Sequence, residues 1–138
     1  MRPAVISAKT LEKKKILLVD DDAENRFSIS KILEAQKAVV IQATNGKEAI
    51  DVWKNNKDIS LILMDVMMPV MDGYEAIREI RKLDNGKNIP IISLTAKTQA
   101  DEREKCINSG ASDYASKPID ADLLMSLTKI WILNSDKK

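Results

Sequence analysis

Short apolar runs alternate with amphipathic segments along the whole chain of 138 residues. Continuously apolar runs are typical of strands in a parallel sheet, because helices cover both faces of such a sheet. We predict strands over Ile16–Val19, Val39–Ala43, Leu61–Met64, Ile91–Leu94 and, with a weaker signal, Ser112–Ala115. Apolar residues at helical spacing predict helices over Glu24–Gln36, Gly46–Asn55, Tyr74–Leu83, Gln99–Ser109 and Asp122–Leu133. Five strand-helix units in this order predict an α/β fold with a doubly wound parallel sheet.

The fourth predicted helix has the smallest apolar face. Every residue from Asp101 to Lys105 is charged, and only Ala100, Cys106 and Ile107 are apolar. A helix is held to a sheet mainly by its apolar stripe. We therefore expect this helix to be the most weakly anchored of the five.

The composition excludes several classes of function. The chain has no histidine, which excludes a Ser-His-Asp triad, a Cys-His pair, an HExxH zinc site and autophosphorylation on histidine. The single cysteine, Cys106, has no partner for an internal disulfide. A formal net charge of +1 gives no field that attracts nucleic acid or anionic lipid, and no apolar stretch approaches the roughly 20 residues of a membrane span. We expect a cytoplasmic protein without direct nucleic acid or membrane contact.

Chain length sets the number of domains. A chain of 138 residues has room for one sizeable core. We expect residues 1–14 to form an N-terminal extension, residues 15–133 to form the domain and residues 134–138 to form a C-terminal tail.

Polar residues follow the predicted strands at one edge of the sheet. Parallel strands bring their carboxyl ends to the same edge, which is where ligands bind in open α/β sheets. The candidate residues at this edge are Asp20, Asp21, Asp22, Asp65, Thr95 and Lys117. Because Asp22 lies just ahead of the predicted helix Glu24–Gln36, where a cap is needed, we interpret it as a helix cap.

The other three carboxylates require a cation. Like charges at about 4 Å repel by about 4 kcal/mol per pair at an effective dielectric constant near 20. Oxygen ligands without histidine or cysteine favour Mg²⁺ over zinc or copper. With a lysine and a hydroxyl donor nearby, such a site is suited to a phosphoryl group, with a carboxylate as the nucleophile that forms an acyl phosphate.

Four segments of the sequence carry a resemblance to a known family. They are ILLVDDDAENR, LILMDVMMPVMDGYEAIREIR, IPIISLTAKT and GASDYASKPI. These segments resemble, in order, the sequence blocks of the receiver domain of two-component response regulators, and the match runs from about Lys14 to Leu133. The resemblance implies a flavodoxin-like (βα)5 fold, with a five-stranded parallel sheet of strand order 2-1-3-4-5. It also implies a function in phosphorelay signal transduction.

The resemblance assigns roles to the acidic residues. It implies that Asp65 is the phosphoacceptor. It implies Mg²⁺ as the cofactor, bound by Asp20, Asp21 and Asp65, with the main-chain carbonyl of Met67 completing the protein's ligands.

It also assigns roles on the last two strands. Thr95 would hydrogen-bond a phosphoryl oxygen, and Lys117 would pair with it. Thr95 and Tyr114 would form a switch that changes partner binding. The Lys117–Pro118 peptide bond would be cis and would direct the lysine into the site.

The resemblance implies partners as well. The phosphoryl group would come from a phosphohistidine on a sensor histidine kinase or a histidine phosphotransfer protein. The chain would catalyse its own aspartyl phosphorylation and dephosphorylation without turning over an external substrate. We expect a monomer, or a weak dimer through the face of the fourth helix, the fifth strand and the fifth helix.

Three other interpretations account for part of the sequence. ILLVDDD also matches the start of haloacid-dehalogenase-like phosphatases, Mg²⁺-dependent enzymes in which Asp20 would be the nucleophile and Asp22 the acid/base. However, Glu24 stands where that family has Thr or Val, and the chain has no room for a cap domain. A docking module without chemistry is disfavoured because all the residues that the chemistry needs are present. The domain is either a stand-alone protein or part of a hybrid histidine kinase or another larger regulator, and both ends of the match resemble receivers of hybrid histidine kinases.

Overall fold

Five strands and five helices alternate along the part of the chain that the computed structural model describes, residues 10–56, 58–68, 70–83, 86–96 and 100–136. The strands are β1 (Lys15–Val19), β2 (Val39–Ala43), β3 (Ile59–Asp65), β4 (Ile91–Thr95) and β5 (Asp113–Ser116). The helices are α1 (Ala23–Glu34), α2 (Gly46–Asn55), α3 (Gly73–Lys82), α4 (Ala100–Ser109) and α5 (Ala121–Asp136). All strand pairs are parallel, in the order β2-β1-β3-β4-β5. The predicted fold class and strand order are confirmed.

Helices cover both faces of the sheet. Successive residues of a strand point to opposite faces, so Leu17 packs on one side of β1 and Leu18 on the other. The Leu17 face is covered by α2, α3 and α4, with Ile77 as one of its fully buried residues. The opposite face is covered by α1 and α5, which contribute Leu33 and Leu124. The sheet is therefore packed between two apolar layers, one on each face. Its carboxyl edge, where the strands end, is not covered by these layers and carries the site.

The edge strand β2 is less buried than the sequence predicted. The side chain of Val39 is 45% exposed, and only Ala43 in this strand is buried. The prediction of a strand buried on both faces is wrong for β2, because its outer side has no neighbouring strand. An apolar run of this length does not by itself distinguish an edge strand from a central one.

Side-chain caps begin α1, α2, α3 and α5, the last through Asp120, whose Oδ1 accepts from the backbone N–H groups of Asp122 and Leu123 at 2.9 and 3.1 Å. Asp22, Asn45 and Asp72 precede α1, α2 and α3, and each accepts a hydrogen bond of 2.9 Å from a backbone N–H in the first turn of its helix. These bonds satisfy N–H groups that have no partner within the helix. The interpretation of Asp22 as a cap is confirmed.

The guanidinium of Arg81, at the end of α3, ties together the segments that lead into β4 and β5. It donates to the carbonyl oxygens of Gly110, Gly86 and Ile89 at 2.8, 2.9 and 2.6 Å, and to Ser112 Oγ at 3.3 Å. These bonds satisfy carbonyl groups in irregular backbone. They fix the entry to the two strands that carry the threonine and lysine of the site.

Packed or helical residues lie on the outer side of both predicted domain boundaries, residues 15 and 133. Leu11 is buried in the same apolar layer as Leu33, and α5 continues past Leu133 to Asp136. Residues 1–9 and 137–138 lie outside the described residues, so the division into extension, domain and tail stays a prediction. Among the helices that the structure describes, none has the length and apolar character needed to cross a bilayer.

Candidate acidic site

The carboxyl edge of the sheet brings together the side chains that the sequence singled out. Asp20 directly follows β1, Asp65 ends β3, Thr95 ends β4 and Lys117 directly follows β5. One oxygen atom from each of the Asp20, Asp21 and Asp65 carboxylates lies within 4.8 Å of the other two. The predicted convergence of these acids is therefore present in the fold.

The Asp20 carboxylate is fully buried and is held at both oxygens. Its Oδ1 accepts from the backbone N–H of Asp22 at 2.9 Å, and its Oδ2 lies 3.3 Å from Lys117 Nζ. The Asp20 carbonyl accepts from Arg26 Nη1 at 2.7 Å, and Arg26 Nε donates to Gln42 Oε1 at 3.1 Å. Arg26 thus holds the β1–α1 turn in place through the backbone carbonyl of Asp20. No sequence pattern assigns a role to Arg26, since its partner is a backbone carbonyl that sequence spacing does not reveal.

Asp65 lies at the centre of the site and is 3% exposed. Its Oδ1 accepts from the backbone N–H of Met67 at 3.2 Å. The β3–α3 loop folds back over β3, and the N–H of Gly73 donates to the Val66 carbonyl at 3.1 Å. A Cβ at Gly73 would overlap the Asp65 carbonyl oxygen and Val66 Cα. Glycine at this position is therefore required for the loop to pass so close to the strand.

Lys117 reaches both buried acids. Its Nζ lies 3.2 Å from Asp65 Oδ2 and 3.3 Å from Asp20 Oδ2. The backbone N–H of Lys117 donates to the Thr95 carbonyl at 2.7 Å, which continues the pairing of β4 with β5. The Lys117–Pro118 peptide bond is cis. The ammonium group therefore occupies the position where it offsets the repulsion between the two carboxylates.

The electrostatics of the site raise two pKa values. Burial, with a further contribution from the Asp20 carboxylate, raises the pKa of Asp65 to about 6 even though Lys117 opposes the shift. Burial opposes the charged form of Lys117, but the Asp65 and Asp20 carboxylates outweigh it and raise the pKa of the ammonium. Lys117 therefore stays charged, and Asp65 ionises only above mildly acidic pH.

The donor set suits a small, hard cation. Asp21 is exposed while Asp20 and Asp65 are buried, so the group of three acids opens to solvent on one side. Carboxylate oxygens in a site open to water are typical ligands of Mg²⁺, which keeps several waters when bound. Lys117 alone leaves the three carboxylates with a net negative charge. These residues therefore fit a divalent cation.

The last two strands place Thr95 and Tyr114 on the same face of the sheet. Tyr114 on β5 pairs in register with Ser93 on β4, two residues before Thr95. Thr95 is fully buried, whereas Tyr114 is half-buried against the apolar layer on that face. Helix α4 covers both residues' face through Cys106.

The buried face of α4 differs from the predicted one. Ile107 is 46% exposed, whereas the charged residue Glu102 is only 5% exposed. The inclusion of Ile107 in the packed face is wrong. Glu102 lies one turn before the buried Cys106, a spacing of four that places both on the same side of the helix. That spacing could have predicted from the sequence that Glu102 is buried. The consecutive charged residues around Glu102 indicated an exposed helix surface instead.

The sequence of the chain matches a known protein family. Residues 16–129 match the family model of the response regulator receiver domain. The chain is a receiver domain. Receiver domains act in two-component phosphorelays, and acceptance of a phosphoryl group on aspartate is general in the family. The resemblance seen in the sequence is confirmed.

Relatives of this receiver domain include both stand-alone proteins and parts of longer ones. Chemotaxis protein CheY of Halobacterium salinarum is 37% identical over 81% of this chain and 91% of its own length. Hybrid signal transduction histidine kinase I of Dictyostelium discoideum is 35% identical over 92% of this chain. This receiver domain spans 8% of that kinase and 14% of the sensor histidine kinase CheAY of Helicobacter pylori.

Solved structures agree with the fold. The receiver domain of sensor histidine kinase PA1611 from Pseudomonas aeruginosa, with a magnesium ion coordinated in its active site cleft, has a TM-score of 0.81 and 37% identity. The match covers 87% of this chain and 98% of that one. The Saccharomyces cerevisiae response regulator Ssk1, in complex with the phosphotransfer protein Ypd1, contains a receiver domain with a TM-score of 0.81 and 29% identity over 88% of this chain and 90% of that one.

The phosphatase alternative does not fit the contacts at the end of β1. That alternative needs Asp20 as an accessible nucleophile and Asp22 as an acid/base. Asp20 is fully buried with both oxygens engaged, and the Asp22 carboxylate caps α1. The receiver arrangement accounts for both residues without a catalytic role for Asp22.

Proposed function

We propose that Asp65 accepts a phosphoryl group from a phosphohistidine on a sensor histidine kinase or a histidine phosphotransfer protein. The observation that carries this proposal is the contact of Lys117 Nζ with Asp65 Oδ2 at 3.2 Å, in a group of three acids within 4.8 Å of one another. A carboxylate flanked by a fixed ammonium and by acids suited to a divalent cation has both the nucleophile and the positive charge that phosphoryl transfer requires.

In the proposed reaction, an oxygen of Asp65 forms a bond to phosphorus while the bond from phosphorus to the imidazole nitrogen of the donor breaks. The imidazole leaves with the electron pair of that bond and takes up a proton. With a pKa of about 6, Asp65 is roughly nine-tenths ionised at neutral pH, so the nucleophilic form predominates. Lys117 then pairs with an oxygen of the transferred group.

Mg²⁺ is the proposed cofactor. Asp20, Asp21 and Asp65 would hold it through carboxylate oxygens, and the main-chain carbonyl of Met67 would complete the protein's ligands. A bound Mg²⁺ supplies positive charge to the phosphoryl oxygens during transfer. The chain's own acids would hold the cation, and the hydrogen bond from the Met67 N–H keeps one oxygen of Asp65 in place.

Thr95 and Tyr114 are the proposed switch. The Thr95 hydroxyl would hydrogen-bond the phosphoryl group, and Tyr114 would turn further into the face that it already half occupies. Their position on neighbouring strands under α4 supports this coupling. The surface formed by α4, β5 and α5 is the proposed surface for output and for weak dimerisation; α4 and α5 carry the exposed Ile107 and Ile130, respectively.

The test is phosphorylation by a small-molecule phosphodonor with Mg²⁺, followed by intact mass measurement. We expect one added phosphoryl group on the wild-type protein and none on Asp65→Asn. Asp51→Asn is the matched control, because Asp51 is an exposed acid on α2, and it is expected to react like wild type. Full modification of Asp65→Asn, or no reaction of the wild type with any donor, would overturn the proposal.

A further inference from the structure

Four buried side chains with polar atoms lie between α4 and β4, inside an otherwise apolar layer. Ser93 and Thr95 lie two residues apart on β4 and share a face, and Glu102 and Cys106 lie four residues apart on α4 and share a face. Two strand residues advance about 6.6 Å and four helical residues about 6 Å, so the two spacings match. All four residues are at most 5% exposed. The helix therefore sets Glu102 over Thr95 and Cys106 over Ser93.

The contact between Thr95 and Glu102 links the proposed switch directly to α4. Thr95 Oγ1 donates to Glu102 Oε1 at 3.4 Å, and both residues are buried. This distance is long for an O–H···O bond, so its strength depends on the absence of competing water. Burial raises the pKa of the nearby Cys106 thiol, and the Glu102 carboxylate adds to this shift while the Ser93 hydroxyl opposes it.

A carboxylate at this position requires an explanation. Glutamate is almost never this deeply buried unless it has partners, because removing an ionised carboxylate from water costs several kcal/mol. An exposed glutamate would serve the surface of α4 equally well, as Glu104 does two residues later. The Thr95 hydroxyl is a donor that Glu102 reaches from this position.

We propose that Glu102 is a positioning residue. In the unphosphorylated protein it accepts the hydrogen bond of the Thr95 hydroxyl, and it competes with the phosphoryl group for that hydrogen bond. A hydroxyl has one proton to donate, so Thr95 cannot donate to Glu102 and to a phosphoryl oxygen at once. The inference rests on the proposed roles of Asp65 and Thr95.

The competition couples the site to the surface of α4. When Thr95 donates to the phosphoryl group, the buried Glu102 carboxylate loses a donor and α4 is less favourable in its present position. Any change at Glu102 that favours release of Thr95 then favours the phosphorylated state, and the converse holds because coupling between two sites is reciprocal. Glu102 would thus set how strongly the unphosphorylated state is favoured.

The test is a titration of the full chain with beryllofluoride, a mimic of the phosphoryl group, at saturating Mg²⁺. Charged acceptors make stronger hydrogen bonds than neutral ones, so Glu102→Gln is expected to bind beryllofluoride about three- to tenfold more tightly, the range of one net hydrogen bond. Glu104→Gln removes the same charge from the exposed side of α4 and is expected to match wild type. In a Thr95→Ala background, Glu102→Gln is expected to have no effect.

Two outcomes would overturn the inference. Equal tightening by Glu102→Gln in the wild-type and Thr95→Ala backgrounds would mean that Glu102 acts by charge repulsion and not through Thr95. Unchanged or weaker affinity in Glu102→Gln would mean that it does not compete for the hydroxyl. Glu102→Asp, which keeps the charge and withdraws the oxygens, is expected to tighten binding as well, and it gives the same decision if the glutamine variant does not fold.

Failure of the proposed function has a different signature. If the wild-type protein neither binds beryllofluoride nor accepts a phosphoryl group, the role of Asp65 is wrong. If wild type binds and Asp65→Asn does not, while Glu102→Gln equals wild type, only the role of Glu102 is wrong.

Discussion

The raised pKa of Asp65 predicts that Asp65→Asn stabilises the metal-free protein at neutral pH. Burial and the Asp20 carboxylate raise this pKa from 3.8 to about 6 in the folded protein. Between these two values the folded state binds a proton that the unfolded state does not. Stability therefore falls as the pH rises through this window.

The magnitude follows from the size of the shift. One pKa unit corresponds to about 1.4 kcal/mol, so a shift of about two units lowers the free energy of unfolding at pH 7 by at most about 3 kcal/mol. Asparagine has nearly the same shape and no charge. We expect Asp65→Asn to be more stable than wild type by about 2 to 3 kcal/mol at pH 7 and by only about 0.5 kcal/mol at pH 4.

The assay is urea unfolding followed by circular dichroism, in a chelator, at several pH values between 4 and 8. The control Asp51→Asn removes an exposed carboxylate on α2 and is expected to change stability by less than about 0.5 kcal/mol without a trend in pH. A destabilised Asp65→Asn at pH 7, or a difference that does not vary with pH, would refute the reasoning. Saturating Mg²⁺ is expected to stabilise wild type more than the variant, because a cation that binds the folded state stabilises it and Asp65→Asn removes one of the proposed carboxylate ligands.

Three further predictions concern residues around the site. Asp21→Ala is expected to weaken Mg²⁺ binding at least about tenfold by calorimetry. Asp22→Ala is expected to keep the Mg²⁺ affinity and to lose about 1 kcal/mol of stability, because it removes the cap of α1. Equal effects of the two variants on Mg²⁺ affinity would mean that the metal ligand is misassigned. Arg81→Ala is expected to lower the free energy of unfolding by about 3 kcal/mol or more, because it leaves several carbonyl oxygens without donors, and a loss below about 1 kcal/mol would contradict this role. The two tryptophans lie on α2 and α5, so Mg²⁺ is expected to change intrinsic fluorescence little, and strong quenching would argue against this layout.

The sequence was sufficient where a local pattern corresponds to one structure. Five apolar runs with intervening helical periodicity predicted the five strands and five helices, with ends that differ by at most three residues from those observed. An aspartate just before an amphipathic segment predicted the cap at Asp22, which the structure confirms. The convergence of Asp20, Asp65 and Lys117 followed from the single rule that parallel strands share one carboxyl edge.

Contacts between distant segments were beyond the sequence. The partners of Arg81 are backbone carbonyls from loops that come together only in the folded chain, and carbonyls carry no sequence signal. Glu102 lies among consecutive charged residues, and only its register with Thr95 across the α4–β4 contact explains why it is buried. The exposure of β2 depends on which strands have neighbours, a property of the sheet and not of the strand.

Chemical trapping of the acyl phosphate tests the central claim most directly. Borohydride reduces an aspartyl phosphate to homoserine, so reduction after treatment with a phosphodonor and Mg²⁺ marks the residue that was phosphorylated. Peptide sequencing by mass spectrometry then identifies its position. We predict homoserine at position 65 alone; homoserine at Asp20 or Asp21, with Asp65 unchanged, would contradict the account.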